Sequence, residues 1–377
     1  MWAALMLRLL CFCVRYFREM ASVHEKTLLF RVDANPLVGL GHLMRCLSVA
    51  DAATRIGARC VFACADAEAA AFARRRGYDA LGLNGDYRNL IPELERLHEL
   101  ACSVDSCVLI VDSYYAVDEF LEASRSIAHL AYFDDFGDAV RPADVVVNYN
   151  ISADKAEYGR LYEGCSGTEL LLGPSYAPLR EQFRALVPYG KRAEKSGVLV
   201  CVGGSDPERI ALRFARALAA DSKLRCGRRF TFMLGSSEPD LIELRRMEAM
   251  HGWLELREGV EDVAGLMCGF EAALSASGTT LYELCACGLP TVAYCLSDDQ
   301  AKPLASFVAS GAMANGGDLR GSGSVETALH ALAGLLDDEK EMLRLSDAAC
   351  SVVDGCGAER LAESLLGLCG CDCGVRE

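Results

Sequence analysis

Residues 28–47 read LLFRVDANPLVGLGHLMRCL. A β-favouring apolar run stops at Asp33, a loop containing Gly39 and Gly41 follows, and from His42 apolar residues recur at spacings of three and four. Leu43, Cys46, Leu47, Ala50 and Ala53 fall on one helical face. The stretch is therefore a strand, a glycine turn and a helix. The same unit repeats along the chain. Apolar strands are expected at 28–33, 59–64, 79–83, 107–112, 129–133 and 144–148, with helical patterns between them. Strands alternating with helices form βαβ units, and such units build a parallel sheet covered on both faces.

The alternation pauses at 185–196, ALVPYGKRAEKS, where Pro188, Gly190 and four charged residues suit a linker. It restarts with strands expected at 197–203, 229–234, 253–256, 271–275 and 290–295, and helical patterns fill 323–369. The expected organisation is an N-terminal extension at 1–27, a first domain at 28–184, a linker at 185–196 and a second domain at 197–377. The fold class is α/β, with two Rossmann-like domains whose parallel sheets face a cleft. A ligand would lie in that cleft, at the carboxyl ends of the strands.

The length of 377 residues fits two domains at roughly 150 residues each. With 52% hydrophobic and 24% charged residues, disorder is excluded as the main state. The net charge of −15 argues against a nucleic-acid partner. The 19 cysteines are scattered, mostly within apolar runs, and read as small buried hydrophobes in a reducing cytoplasm. Cys11/Cys13, Cys285/Cys287 and the tail set Cys369, Cys371 and Cys373 are spaced C-x-C with no histidine nearby, which does not suit zinc. No metal is expected. Residues 1–17, MWAALMLRLLCFCVRYF, fall short of the ~20 residues a spanning helix needs and are broken by Arg8 and Arg15, so no stable membrane insertion is expected. Met20 is a second plausible start, which makes 1–19 a non-native or loose appendage; a peripheral membrane helix is the alternative.

Five motifs carry the chemistry. The first joins Asp33 through Gly41 to His42. The dinucleotide pattern G-x-G-x-x-G fails at its third position, Met44, although Asp66 after the second strand keeps an NAD reading open as the weaker one. His42 could be a helix-cap histidine, but its place after G-x-G at a turn facing the cleft favours a general base. The second motif, Gly203-Gly204-Ser205-Asp206-Pro207, is either a ligand loop at Gly204 and Ser205 or a tight turn capped by Ser205 or Asp206. The third is Ser277-Gly278-Thr279-Thr280, where a helix start offers N–H groups and hydroxyls to a diphosphate. Glu283 follows one turn later and can accept from ribose hydroxyls; a solvated helix glutamate is the alternative. The fourth is Asp112-Ser113-Tyr114-Tyr115 at a strand's carboxyl end. The fifth runs from Gly173 through Tyr176 to Arg180, a cation at the cleft mouth or on the surface.

Taken in order, F-R-V-D-A, G-x-G-H-x-M-R-C, D-S-Y, L-L-G-P-x-Y-x-x-L-R-x-x-F, G-G-S-D-P and S-x-S-G-T-T-x-Y-E resemble the UDP-2,4-diacetamido-2,4,6-trideoxy-β-L-altropyranose hydrolases of pseudaminic acid biosynthesis. The second half is more broadly similar to glycosyltransferase-B enzymes, including the N-acetylglucosaminyltransferase that makes lipid II. The resemblance covers about residues 28–300. It implies hydrolysis of a UDP-sugar at its anomeric carbon, with no cofactor, the catalytic histidine at His42, the arginine before the linker at Arg180 and the ribose glutamate at Glu283. Ser277 stands where the family has glycine, and Asp299-Gln300 where Asn-Gln is expected. The implied chemistry is a single attack by water, deprotonated by His42, with inversion at C1. Asp112 or Tyr114 would place water or sugar, and Arg180 with the Ser277–Thr280 turn would stabilise departing UDP. Gln300 and Tyr176 complete the expected contacts. A glycosyltransferase using the same donor, or a non-catalytic nucleotide-sugar-binding protein, is the alternative.

Overall fold

The structure, a computed structural model, describes residues 26–35, 38–203, 206, 208–235, 238–321 and 324–369. The expected appendage at 1–19, along with Gly204 and Ser205, lies outside the described residues.

Two wholly parallel sheets carry the chain. The first contains β1 (Thr27–Val32), β2 (Arg59–Cys64), β3 (Asp79–Gly82), β4 (Ser106–Asp112), β5 (His129–Phe133), β6 (Val145–Asn148) and β7 (Glu169–Leu172), in the order β3-β2-β1-β4-β5-β6-β7. Helices α1 (Gly41–Arg55), α2 (Ala67–Arg75), α3 (Leu94–Ser103), α4 (Asp118–Arg125) and α5 (Lys155–Leu161) connect its strands. The second contains β8 (Val198–Cys201), β9 (Phe230–Leu234), β10 (Leu254–Glu258), β11 (Ala272–Ala276), β12 (Thr291–Cys295) and β13 (Ala314–Asp318), in the order β10-β9-β8-β11-β12-β13. Its helices are α6 (Ile210–Ala220), α7 (Leu241–Met250), α8 (Val263–Cys268), α9 (Thr280–Ala286), α10 (Asp298–Ala309), α11 (Val325–Leu336), α12 (Glu339–Val352) and α13 (Gly357–Leu368).

These are two Rossmann-like layers, and the reason is visible in β1. All six of its residues are buried because helices cover both faces of the sheet. Phe30 stacks on Phe62 of the neighbouring strand at 4.9 Å between ring centres. Strand order reverses between β1 and β4 and again between β8 and β11. Connections leave in opposite directions at such a switch point, which opens a crevice beyond the carboxyl ends of the strands. The loops after β1, β4 and β11 therefore converge.

Four features depart from the expectations. β7 and β13 are additional strands at sheet edges. β13 reads ANGGD, which carries no strand signal, yet a Cβ at Gly316 would lie 2.9 Å from Val292 Cγ1 and 3.0 Å from Ala293 O. Only glycine lets that edge pair closely. The expected linker is partly packed: Tyr189 is buried, and its hydroxyl donates to Glu271 O at 2.7 Å. The last helix returns to the first sheet. Lys26 Nζ donates to Leu366 O at 2.9 Å, and a Cβ at Gly357 would meet Ala177 O at 2.2 Å. That return corrects the all-reduced reading of the cysteines. It brings Cys369 beside Cys107 at the start of β4, and the two form a disulfide with Cα atoms 5.4 Å apart. A contact 262 residues apart in sequence leaves no trace in cysteine spacing. Among the described residues, no helix is long and apolar enough to cross a membrane.

Candidate active site

α1 carries His42 at its second residue and Arg45 one turn further on the same face. The β1–β4 pairing aligns Val32 with Asp112, which sets Asp112 beside the start of α1. Asp112 is fully buried, and its Oδ1 receives a short hydrogen bond from His42 Nδ1. A carboxylate can only accept, so the ring proton belongs on Nδ1 and Nε2 keeps its lone pair. Nε2 is buried and has no partner within the protein.

Arg45 fixes the other side of Asp112. Its Nε donates to Asp112 Oδ2 at 2.6 Å, and its Nη2 donates to Oδ1. Cys46 Sγ lies 3.4 Å from Asp112 Oδ2. Burial alone would raise the Asp112 carboxyl, but the charge of Arg45 and the hydrogen bonds from Arg45 and His42 outweigh it and hold the group well below the usual carboxylate range. Asp135, in the loop after β5, accepts from Arg45 Nη1 at 2.9 Å and Nη2 at 2.7 Å. Tyr114 closes the site with its ring edge-on to His42, 4.4 Å between centres.

A cavity of about 250 Å³ lies over these groups. The first half contributes Gly41, His42, Arg45, Tyr114 and Tyr149; the second contributes Ser277, Gly278, Thr279 and Tyr282. The halves touch where Tyr149 meets Tyr282, 5.5 Å between ring centres, and where Ile151 N donates to the Tyr282 hydroxyl at 3.0 Å. A neighbouring compartment of about 330 Å³ shares Asp135, Asn150, Asp299 and Pro303 with the first.

Gly41, His42, Tyr114, Ser277, Gly278 and Thr279 therefore meet at one cavity, and the other expected residues that the structure describes lie off its lining. Asp112 sits behind His42 rather than on the lining, because Arg45 and His42 engage its oxygens. Asp33 is off this lining: it is buried, Arg31 engages its Oδ1 together with the Glu93 carboxylate, and its Oδ2 is buried without a partner in the protein. Ser277 lines the cavity, but both its hydroxyl and its backbone N–H donate to Tyr294 O, at 2.8 and 2.9 Å, so neither donor is on offer to a ligand. Thr280 begins α9 behind the lining. Gln300 turns back to accept from Leu296 N at 2.9 Å, and its neighbour Asp299 faces the cavity instead. Tyr176 lies in the Pro174–Tyr176 turn against α13, away from the cavity. Asp206 caps α6 by accepting from Ile210 N at 2.7 Å and Ala211 N at 2.8 Å, which is the tight-turn alternative.

Arg180 and Glu283 come together across the two halves, Nη2 to Oε1 at 2.8 Å, beside the cavity rather than on its lining. Burial pushes the Glu283 carboxyl upward against the opposing charge of Arg180. Sequence reasoning missed Arg45, Asp135, Tyr149 and Tyr282 as site residues. Arg45 was findable by its i+3 spacing from His42, and Asp135 by its place just past a strand's carboxyl end.

His42, Asp112 and Asp135 bring candidate metal-ligand atoms within 4.8 Å of one another. They do not suit a cation, because both oxygens of each carboxylate already face the Arg45 guanidinium.

No protein-family model matches the chain. It is similar to the spore coat polysaccharide biosynthesis protein SpsG of Bacillus subtilis, 26% identical over 265 residues, which covers 68% of this chain and 76% of that protein. It is also similar to the UDP-2,4-diacetamido-2,4,6-trideoxy-beta-L-altropyranose hydrolase of Campylobacter jejuni, 27% identical over 253 residues, which covers 63% of this chain and 80% of that protein. Among solved structures, the fold matches a UDP-GlcNAc 2-epimerase from Neisseria meningitidis bound to UDP-GlcNAc, with a TM-score of 0.59 at 12% identity over 90% of this chain and 100% of that one. It also matches a glycosyltransferase from Rickettsia africae, with a TM-score of 0.61 at 12% identity over 91% of this chain and 98% of that one.

Proposed function

We propose that this chain, a homologue of the altropyranose hydrolase with a glycosyltransferase-B-like fold, is an enzyme that acts on a UDP-sugar and cleaves it by water attack at the anomeric carbon. The observation that carries this reading is the His42 ring. Its Nδ1 is committed to Asp112 and its Nε2 is unpartnered at a cavity whose opposite wall is the Ser277–Thr279 turn. A ring so held can take a proton from water at Nε2 while Asp112 steadies the resulting positive charge.

UDP leaves as an anion, so its departure needs charge stabilisation more than a proton. The Gly278 N–H is taken by Ala276 O at 2.9 Å, so the task falls to the backbone N–H groups of Thr279 and Thr280 at the start of α9. Glu283 would accept from ribose hydroxyls, sharing or exchanging its contact with Arg180. One displacement by water inverts the configuration at C1. No step requires a metal. Uridine recognition at the second half and the sugar over His42 and Tyr114 is the arrangement the cavity favours, and a 2,4-diacetamido-trideoxyhexose is the sugar that the homologue's activity suggests.

One observation favours a second reading. Tyr114 and Phe136 are exposed on the first half beside the two compartments, their ring centres 5.6 Å apart, and an apolar pair there suits a glycosyl acceptor. Incubation with the UDP-sugar and no acceptor separates the readings. Steady UDP release supports the hydrolase, whereas release only on adding an acceptor supports the transferase.

A further inference from the structure

We propose that Arg45 and Asp135 form a clamp that positions the Asp112–His42 pair, and that Asp135 holds the Arg45 guanidinium away from the substrate's diphosphate. The proposal rests on the hydrolase reading for its kinetics and on geometry alone for its structure.

All three guanidinium nitrogens of Arg45 are engaged. Nε and Nη2 hold Asp112; Nη1 and Nη2 hold Asp135; Nη1 also donates to the Tyr149 hydroxyl at 3.2 Å. The plane is pinned by the Phe133 ring, whose centre lies 4.8 Å from the guanidinium carbon. A planar fork can serve two carboxylates at once, which a lysine ammonium cannot do with the same geometry. Arg45 Nη2 and His42 Nδ1 lie 3.0 Å apart because both donate to the same oxygen, Asp112 Oδ1, so the arginine fixes the acceptor that orients the ring.

The charge count explains why two acids are needed. Asp112, Asp135 and Arg45 sum to −1 with a neutral ring, and to zero once the ring has taken a proton. A single acid would leave the cluster neutral beforehand and positive during turnover, in a nearly dry site where an unbalanced charge is costly. Asp135 has a second task. Arg45 itself lines the cavity, and a guanidinium pairs readily with phosphate oxygens. With Asp135 bound to its outer edge, the arginine stays on Asp112 when a diphosphate arrives.

The test uses the full chain with Arg45→Met, Arg45→Lys, Asp135→Asn and the Asp135→Asn, Arg45→Met double variant. Four quantities are read: kcat, KM, the Kd for UDP by calorimetry, and the low-field proton signal of His42 Nδ1–H in 15N-histidine-labelled protein. Arg45→Met should lower kcat by about 10²-fold through misplacement of the base, with UDP affinity changed by less than about threefold. Arg45→Lys should recover part of that loss. Asp135→Asn should lower kcat and tighten UDP roughly tenfold, since the released guanidinium gains a charge-assisted contact. That tightening should vanish in the double variant. The Nδ1–H signal should shift or disappear in Arg45→Met.

The proposal is overturned if UDP binding weakens in Arg45→Met as much as kcat/KM falls, because Arg45 would then be a phosphate ligand. It is overturned if the tightening by Asp135→Asn survives in the double variant, because simple charge removal would explain it. An unchanged Nδ1–H signal in Arg45→Met also overturns it. If Arg45→Met fails to fold, Arg45→Lys and Asp135→Asn decide. If wild-type protein hydrolyses no UDP-sugar, the proposed function fails, and the proton signal still reports on the clamp.

Discussion

Asp112→Asn isolates one charge without changing the size of the side chain, and its consequences follow from the contacts. The amide retains one acceptor oxygen and replaces the other with a donor. His42 Nδ1 and the two Arg45 nitrogens all require acceptors, so at least one donor is left facing another. The ring can then restore a hydrogen bond by moving its proton to Nε2, where it blocks the base. In a related triad that change of tautomer lowers kcat by about 10⁴-fold, and 10²–10⁴-fold is expected here. Breaking a buried ion pair by removing one partner costs roughly 3–5 kcal/mol. Asp135 still serves Arg45, so the lower end applies, with a fall in thermal midpoint on the order of 10 °C. The pH dependence has a definite sign. The folded-state carboxyl of Asp112 is depressed, so its stabilisation is complete above the unfolded value of about 3.9 and is lost as pH falls toward the folded value. The stability gap between wild type and variant should be constant above about pH 5 and should narrow below about pH 4. Coupled UDP-release kinetics and calorimetric melts from pH 3 to 8 measure both effects. More than a tenth of wild-type turnover, or a gap that widens in acid, would refute the reasoning.

Three further outcomes follow from the same geometry. His42→Ala should remove turnover, by about 10²–10⁴-fold, while calorimetry shows UDP affinity within about threefold of wild type. Glu283→Ala should weaken UDP by roughly tenfold or more, the value of one charge-assisted hydrogen bond, and an unchanged Kd would make it a helix-surface residue paired with Arg180. EDTA should leave the rate unchanged, because the carboxylates near His42 are engaged by Arg45; loss of activity restored by magnesium would refute metal independence.

The parallel architecture was legible because its signal is local. Strands such as 59–64 and 129–133 are apolar runs followed by helical periodicity, and they lie where the spacing puts them. β13 was not legible, because Gly316 is there to fit Val292 and Ala293, a requirement set by a neighbouring strand. The disulfide and the return of α13 were invisible for the same reason. In the site, His42, Tyr114 and the Ser277–Thr279 turn could be read from strand-to-helix turns. The roles of Asp33 and Asp112 could not be. Each sits at a strand's carboxyl end, where a ligand contact is the natural expectation, and each is claimed by an arginine: Asp112 by Arg45 on a distant helix, Asp33 by Arg31 two residues earlier on its own strand. Which carboxylates an arginine takes is decided by packing, so Arg31 and Arg45 determined what sequence spacing could not.

If His42 activates water against a UDP-sugar, substrate turnover needs neither an acceptor nor a metal. The most direct test is to incubate the purified chain with UDP-2,4-diacetamido-2,4,6-trideoxy-β-L-altropyranose, without acceptor or metal, and to follow the reaction by proton and phosphorus NMR. Equal amounts of UDP and free sugar should appear, with the first-formed anomer inverted at C1, and none of this in His42→Ala. An intact substrate that yields UDP only when an acceptor is added, or one that epimerises without releasing UDP, would contradict water activation by His42.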